Sequence, residues 1–282
     1  MINNFEEPLK LLPVEEWYKL EEVFKADYPR SISGFTLLET ERHLLQIGLD
    51  YGFKVYCPYG DIHNGMVALN VKKTYYEVVV QCASDDTSKL EAALKTTQII
   101  DWNRPLEIPF APNHIMDCIK RVIQDKGLRI DHATSTTTYV LNSTSPLFDI
   151  TLPPGLSFEL LTLEHLELLD STWPHRYPDS DFYFELLIKA KMGYGLFRDK
   201  KLISWVLVKE MGALLHLYTI EEERRKGFGE LVLKLISNIL LKDKKHVVAF
   251  CVTGNVNAAK LYEKLNFQPT IDVYWCNIVG KF

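Results

Sequence analysis

The chain has 282 residues, and an apolar content of 47% is enough for one large or two ordinary hydrophobic cores, which excludes a disordered protein. The formal net charge of −5 excludes a general electrostatic attraction to nucleic acid or to an anionic membrane. The five cysteines are widely spaced and form no Cys-x-x-Cys pair, so neither a disulfide framework nor a metal site is expected.

The N-terminus lacks the apolar core of a signal peptide and the Arg-rich pattern of a transit segment. No apolar run reaches the roughly 18 residues that a membrane helix needs. We therefore expect a soluble cytoplasmic protein in a reducing compartment, with no membrane or nucleic-acid partner.

The first half of the chain alternates between helix and strand patterns. Apolar residues at helical spacing predict helices at residues 14–28, 37–49, 90–100 and 114–124. Apolar and β-branched runs predict strands at residues 53–57, 66–71, 75–81, 106–110 and 136–141. Residues 142–155, with three prolines and several Ser and Thr, are the best linker in the chain.

The second half repeats this order. Tyr177-Pro178-x-Ser180 follows an amphipathic segment in the way that Tyr28-Pro29-x-Ser31 does, at an offset of 149 residues (177 minus 28). Further helices are predicted at residues 182–191, 230–241 and 258–265, and strands at residues 195–198, 202–210, 213–220, 247–252 and 270–278. We interpret this as an internal duplication with domains 1–150 and 151–282, the alternative being coincidence between two similar helices.

Residues 213–241 contain the most informative stretch: an apolar strand, a basic turn with Gly227 and Gly229, and an amphipathic helix. The first N–H groups of a helix have no intrahelical partner, and glycine lets a ligand approach the backbone closely. Together with the helix dipole, these features predict a phosphate or pyrophosphate site. The alternative is a solvated turn that only caps the helix.

Two motifs in order carry a resemblance to a known superfamily. Arg224-x-x-Gly227-x-Gly229 resembles the pyrophosphate loop of the GNAT N-acyltransferases. The segment from Asn255 through Ala258 to Leu261-Tyr262, which ends at Asn266-Phe267, resembles their second motif. Shorter pieces narrow the resemblance to the glycine N-acyltransferase-like family of tandem GNAT proteins: residues 100–102, 161–173, 203–205, 218–224 and 275–276.

The resemblance implies an α/β fold of the α+β kind: tandem GNAT-like domains, each a mostly antiparallel twisted sheet flanked by helices. It implies an acyl-CoA-dependent N-acyltransferase that moves an acetyl or larger group from coenzyme A to the amine of glycine or another small amino acid, without a metal. The resemblance also allows a mitochondrial location. Two alternatives stay open: a protein or polyamine N-acetyltransferase, and a non-catalytic acyl-CoA-binding protein.

The resemblance also implies site residues, all in the second domain. Main chain of the strand predicted at residues 213–220 would hold pantetheine and polarise the thioester, and the phenol of Tyr262 would protonate or stabilise the coenzyme thiolate. The implied coenzyme-binding residues are Leu217, Tyr218, Thr219, Arg224, Arg225, Lys226, Gly227, Phe228, Gly229, Glu230, Asn255 and Ala258.

The general base is the main departure from the family pattern. Family enzymes carry a glutamate where this chain has Ala213. His216 is the best replacement because it lies on the same predicted strand and imidazole titrates in the useful range. The alternative is a histidine packed on the other face of the strand.

The first copy has lost the chemistry, if the duplication is real. Where the pyrophosphate loop is expected it has residues 84–88, which are acidic and contain no glycine, and Ile123 stands roughly where the second copy has Tyr262. We therefore expect a structural or substrate-covering role for the first domain.

Overall fold

The computed structural model describes residues 6–280 of the chain. Residues 1–5, on which the expectation about a targeting segment partly rests, lie outside the described residues, as do residues 281–282.

The first half of the chain contains six strands and four helices among the described residues. The strands are β1 (Leu9–Leu11), β2 (Lys54–Pro58), β3 (Met66–Lys72), β4 (Tyr75–Gln81), β5 (Leu106–Pro112) and β6 (Arg129–Leu141). The helices are α1 (Trp17–Ala26), α2 (Ile32–Gln46), α3 (Ser88–Thr96) and α4 (Asn113–Lys126).

The second half has the same number of each. Its strands are β7 (Leu156–Leu160), β8 (Gly193–Arg198), β9 (Lys201–Val208), β10 (Ala213–Thr219), β11 (Val247–Val252) and β12 (Gln268–Val279). Its helices are α5 (Leu166–Thr172), α6 (Ser180–Lys189), α7 (Phe228–Lys242) and α8 (Val256–Lys264).

The order of these elements supports the internal duplication. Each half runs strand, helix, helix, three strands, helix, strand, helix, strand. Each half also places a single 3-10 turn between its first strand and its first helix, at Val14–Glu16 and at Leu163–His165.

The boundaries of the two compact units differ from the predicted division at residue 150. One unit contains residues 1–137 and 271–282, and the other contains residues 138–270. The closing strand therefore belongs to the first unit, because β12 pairs antiparallel with β5, with Ile278 opposite Leu106 and Cys276 opposite Ile108.

Each unit is built on a mostly antiparallel sheet flanked by helices, which confirms the predicted fold class. In the first unit the strands follow the order β1-β2-β3-β4-β5, then β12 and the first part of β6. In the second unit the end of β6 is followed by β11-β10-β9-β8-β7. The pairs β4–β5 and β10–β11 are parallel.

Helix α7 packs its apolar stripe against the second unit. The buried side chains fall at residues 232, 236 and 240 and at residues 233, 237 and 241. The sequence pattern places Leu231, Leu235 and Ile239 on the apolar face, with Val232, Ile236 and Leu240 beside them. The buried stripe is therefore rotated by about one residue from that pattern.

The first unit contains a buried polar network on β3 and β4. The Lys72 ammonium forms an ion pair with Glu77, and both side chains are about as buried as the apolar core, at 2% and 1% exposure. Asn70 Nδ2 donates to Glu77 Oε2 at 2.8 Å, and Tyr51 Oη lies within hydrogen-bonding distance of both Asn70 Oδ1, at 2.8 Å, and a carboxylate oxygen of Glu41. The network links the sheet to α2.

In the first unit, residues 84–88 stand where the second unit has the predicted anion loop, and an aspartate side chain among them bonds the start of the following helix. Asp86 Oδ1 accepts a hydrogen bond from the Ser88 backbone N–H at 2.9 Å, at the start of α3. These bonds to Ser88 lower the pKa of the Asp86 carboxyl. A carboxylate of the chain itself therefore bonds the start of this helix.

Within residues 6–280, no helix combines the length and the apolar character needed to cross a bilayer. Over the same residues, no group of three or more His, Cys, Asp and Glu side chains is arranged to hold a metal ion.

Candidate active site

Strands β10 and β11 separate after a short parallel pairing. Ala213 is opposite Val248 and Leu214 is opposite Ala249, and the pairing ends there. β10 continues through residues 215–219, outside that ladder. Because buried main-chain groups need hydrogen-bond partners, the separated edge of β10 is suited to bind an extended amide-bearing ligand.

On its other edge, β10 carries a β-bulge. Its pairing with β9 shifts register between Leu215 and Tyr218, so that His216 and Leu217 stand opposite a single residue of β9. His216 has φ 53°, in the left-handed region that is uncommon for residues other than glycine. The bulge reorients the main chain of β10 just beyond the point where the strand leaves β11.

The imidazole of His216 packs among aromatic rings and against α5. Its ring centroid lies 5.8 Å from that of Phe184 and 5.7 Å from that of Trp205. Nε2 is 3.2 Å from Thr172 Oγ1, and the Thr172 hydroxyl donates its own proton to Leu168 O at 2.6 Å. Which group donates in the contact between Nε2 and Thr172 depends on the tautomer of the imidazole.

Burial lowers the pKa of His216 to about 4; a hydrogen bond to the Leu169 backbone opposes this shift, and the neighbouring His175 contributes to it. The side chain is neutral at physiological pH and is a weak base there. This geometry favours a packing role for the imidazole and a backbone role for position 216, while the catalytic role stays a prediction.

Comparing His216→Asn with His216→Ala separates the two roles. Asparagine tolerates the left-handed conformation, whereas alanine is expected to strain the bulge by about 1 kcal/mol. If position 216 shapes the strand, the asparagine variant retains most of the thiol-release activity and the alanine variant loses several-fold more. Equal large losses in both variants would show that the imidazole itself, rather than the backbone conformation of position 216, is required.

The same variants test the pKa of His216. The native pKa of about 4 lies below the ordinary value of 6.5, so the unfolded chain binds the proton first as the pH falls. The stability due to a neutral His216 is present at pH 7 and is lost as the pH falls from about 6.5 toward 4. Urea unfolding at pH 7 and pH 5 should therefore show a larger loss for wild type than for His216→Asn.

Helix α7 begins without a side-chain cap. Gly227 is its N-cap residue, with φ 84°, and Arg225 also has a positive φ, at 61°. A Cβ on Gly227 would meet nothing within 4 Å, and one on Gly229 would meet Thr219 Oγ1 at 3.7 Å. The backbone conformation therefore explains Gly227, but the packing of the chain itself does not require Gly229. An open helix terminus with a small residue in its first turn fits an anionic ligand.

Arg224 connects this loop to the end of β10 through a hydrogen bond and a ring contact. Its Nε donates to Thr219 O at 3.0 Å, and its guanidinium carbon lies 5.2 Å from the centre of the Tyr218 ring. Its Nη1 also forms an ion pair with Glu221 at 3.3 Å. The separated edge of β10 and the start of α7 therefore meet at Thr219.

Carboxylates partly neutralise the cations of the loop. Glu223 pairs with Lys226 at 3.1 Å and with Arg198 at 2.7 Å, and these contacts lower the pKa of the Glu223 carboxyl. The Arg198 guanidinium also lies 5.0 Å from the centre of the Phe228 ring. Arg225 makes no ion pair with any residue in the described part of the chain.

At the start of α8, Asn255 acts as a helix cap. Its Oδ1 accepts from the Ala258 backbone N–H at 3.1 Å. Glu230 in the first turn of α7 bonds Lys264 at 2.6 Å and Lys234 at 2.8 Å, and both contacts lower its pKa. Asn255, Ala258 and Glu230 therefore have structural partners within the second unit.

The ring of Tyr262 packs against two other aromatic rings. The centroid of Tyr139 lies 5.2 Å away and that of Phe267 lies 5.5 Å away. Burial raises the pKa of the Tyr262 phenol to about 12, so it is protonated at neutral pH. Within residues 6–280 its hydroxyl makes no hydrogen bond, and it remains able to donate to a ligand.

No carboxylate stands at the position of the family glutamate, because Ala213 is buried and has no polar side chain. Glu210, in the turn before β10, is also fully buried and accepts a hydrogen bond from Tyr183 Oη at 2.6 Å. It is therefore engaged in the packing of α6.

The structure brings residues 217–219 and the loop 224–230 together at Thr219. It does not join the two predicted catalytic side chains, since His216 and Tyr262 share no ring contact or hydrogen bond in the described part of the chain. Sequence reasoning missed three partners of the site: Tyr139, Thr172 and Arg198. Of these, Tyr139 is included in the sequence-based prediction only as part of the strand at residues 136–141.

Known structures share this architecture. A Drosophila protein solved by X-ray crystallography superposes with a TM-score of 0.84 at 18% identity, and the match covers 97% of this chain and 99% of that one. A tandem GNAT protein from the clavulanic acid biosynthesis pathway gives a TM-score of 0.57 at 14% identity, over 97% and 99% of the two chains. The chain has the tandem GNAT fold.

Sequence comparisons give two further similarities, each over part of the chain. Residues 193–276 match the family model of the FR47-like proteins. A human relative, "Glycine N-acyltransferase-like protein 2", is 22% identical over 158 residues, which cover 49% of this chain. The match spans about half of that relative, at 52% of its length. The resemblance to the GNAT superfamily inferred from the motifs is confirmed.

Proposed function

We propose that the second unit is an acyl-CoA-dependent N-acyltransferase that acts on the amine of glycine or another small amino acid. One observation carries the proposal: the edge of β10 that leaves β11 meets the uncapped start of α7 at Thr219. Such an arrangement offers main-chain groups for pantetheine and a helix terminus for pyrophosphate.

In this proposal, backbone N–H groups of residues 225–229 bind the pyrophosphate of acyl-CoA. The main chain around Leu217, turned by the bulge, donates to the thioester carbonyl and stabilises the developing oxyanion. The amine attacks this carbonyl, a C–N bond forms, and the C–S bond breaks. The amine proton ends on the departing sulfur, which gives an amide and a free thiol.

Tyr262 stabilises the departing sulfur. A phenol with a pKa of about 12 is a poorer proton donor than a thiol, whose ordinary pKa is near 8.5. Tyr262 therefore acts by donating a hydrogen bond to the thiolate, and solvent or the attacking amine supplies the proton. With Ala213 in place of a carboxylate and His216 a weak base, the amine is expected to enter in its neutral form.

Tyr262→Phe tests this role. We expect kcat for thiol release from acetyl-CoA or benzoyl-CoA with pooled amino acids to fall by about tenfold to 100-fold, because a charge-assisted hydrogen bond is lost. Tyr194→Phe is the matched control: burial also raises the pKa of Tyr194, which stacks on Phe158 at 5.6 Å. Equal rates for wild type and Tyr262→Phe would remove Tyr262 from the mechanism.

One observation favours a different acceptor. A groove of about 720 Å³ between α5 and α6 is lined by Glu167, Asp170, Asp179 and Asp181, with Arg176 bound to Asp170 at 2.7 Å. An open acidic groove suits a polyamine or a lysine side chain better than a free amino acid. Turnover of spermidine or a lysine peptide without turnover of amino acids would select this alternative.

The missing carboxylate at position 213 supports a third function, a non-catalytic acyl-CoA-binding protein. Coenzyme A binding measured by calorimetry, without thiol release over the whole acceptor panel, would select it.

A further inference from the structure

The ring of Tyr262 rests on a second tyrosine that comes from outside the two GNAT motifs. Tyr139 lies near the end of β6, and only 6% of its surface is exposed. Its ring is tilted by 32° from that of Tyr262 at a centroid distance of 5.2 Å. Its hydroxyl donates to Glu263 Oε1 at 3.3 Å, on the residue that follows Tyr262 in α8.

This contact holds Tyr262 from one side while Phe267 holds it from another. Phe267 is buried and its ring lies 5.5 Å from that of Tyr262. With two aromatic contacts on the ring and no hydrogen bond from the hydroxyl to any described residue, the orientation of the phenol depends on packing alone. Removing one of the rings would free the χ angles of Tyr262.

We propose that Tyr139 is a positioning residue, which fixes the ring of Tyr262 so that its hydroxyl points at the sulfur of bound coenzyme A. This inference rests on the proposed function, because it assumes that coenzyme A binds in the second unit. It assigns a role to the strand that precedes residue 151, which the sequence placed in the first domain.

The two interactions of Tyr139 contribute differently to the position of the Tyr262 ring. The ring contact acts on Tyr262 directly, whereas the bond from the Tyr139 hydroxyl reaches Glu263, which is exposed. A hydrogen bond of 3.3 Å to an exposed carboxylate contributes little. Tyr139→Phe should therefore preserve the positioning, and Tyr139→Leu should abolish it.

A binding measurement tests the inference without requiring turnover. Calorimetry on the full chain at pH 9 compares coenzyme A with desulfo-coenzyme A, which lacks the thiol. At this pH an ordinary thiol is mostly thiolate, and the Tyr262 phenol, with a pKa of about 12, is still protonated. The ratio of the two Kd values therefore reports the hydrogen bond from Tyr262 to sulfur.

We expect wild type to bind coenzyme A about tenfold more tightly than the desulfo analogue, and Tyr139→Phe to behave in the same way. In Tyr139→Leu and Tyr262→Phe the ratio should fall to nearly one, with the Kd of the desulfo analogue unchanged within about twofold. Glu263→Gln, which keeps both rings, should keep the wild-type ratio. If the leucine variant does not fold, Tyr139→Met replaces it, because methionine fills irregular spaces.

The outcomes distinguish the two proposals. A wild-type ratio in folded Tyr139→Leu, or a ratio near one in wild type, overturns the positioning role while coenzyme A binding stands. Failure of wild type to bind either ligand overturns the proposed function together with this inference.

Discussion

A glutamate at position 229 is expected to weaken coenzyme A binding by about 100-fold while leaving the chain folded. Gly229 lies in the first turn of α7, where an added Cβ would meet only Thr219 Oγ1, at the ordinary contact distance of 3.7 Å. In the protein without bound ligand, there is therefore space for the larger side chain at position 229.

The two effects of this glutamate have opposite signs. A carboxylate in the first turn of a helix interacts favourably with the dipole by about 0.3–1 kcal/mol, and replacing a helical glycine adds a similar amount. The same carboxylate would stand where the pyrophosphate binds and would repel it. The melting temperature should stay the same or rise as the affinity falls.

Calorimetric titration with coenzyme A and thermal unfolding by circular dichroism measure both effects. Gly229→Gln is the matched control, since it has nearly the same volume without the charge, and it should weaken binding less. Equal losses in the two variants would mean that bulk rather than charge excludes the ligand. Full affinity in Gly229→Glu would remove this loop from the coenzyme site.

Lys72→Met is expected to lower the free energy of unfolding of the first unit by about 3–5 kcal/mol. The substitution leaves the Glu77 carboxylate buried, at 1% exposure, with Asn70 as a remaining neutral donor. Glu107 is the register partner of Glu77 on β5, so a second carboxylate lies on the adjacent strand. A buried charge without its counter-ion costs far more than the ion pair itself contributes.

Urea unfolding monitored by the fluorescence of a first-unit tryptophan, with the other tryptophans replaced, measures this loss. Trp17, which is buried in the first unit, is a suitable probe. Lys72→Met/Glu77→Gln should recover most of the stability, because it removes both charges. Lys120→Met breaks an exposed pair with Asp117 on α4 of the same unit and should cost less than about 1 kcal/mol. A cost for Lys72→Met as small as that control would contradict the expected desolvation.

Much of the fold is encoded locally and was predictable from the sequence. The strand patterns of residues 75–81 and 247–252 match β4 and β11, because apolar runs of this length bounded by turns are strong signals. The loop between β10 and α7 was found because glycine spacing and helix onset are both readable along the chain. The roles of its residues toward a ligand remain predictions.

Features that depend on pairing between distant residues could not be predicted from the sequence. β1 and β7 were missed because both are short strands at the edge of their sheets. β6 begins at Arg129 rather than at residue 136, since most of the residues from 129 to 133 are exposed and no continuous apolar or β-branched run marks them as a strand. The contact of Tyr139 with Tyr262 joins residues more than a hundred positions apart, and no local pattern reports it.

The pairing of β12 with β5 makes the first unit discontinuous in sequence, with residues 271–282 separated from residues 1–137 by the whole of the second unit. During synthesis from the N-terminus, one edge of β5 therefore waits without its neighbour until residues 271–279 have left the ribosome. An uncovered strand edge is a template for pairing with other chains. The nascent first unit is therefore open to such pairing until the C-terminal strand is made, and no single cut in the gene would yield two complete units.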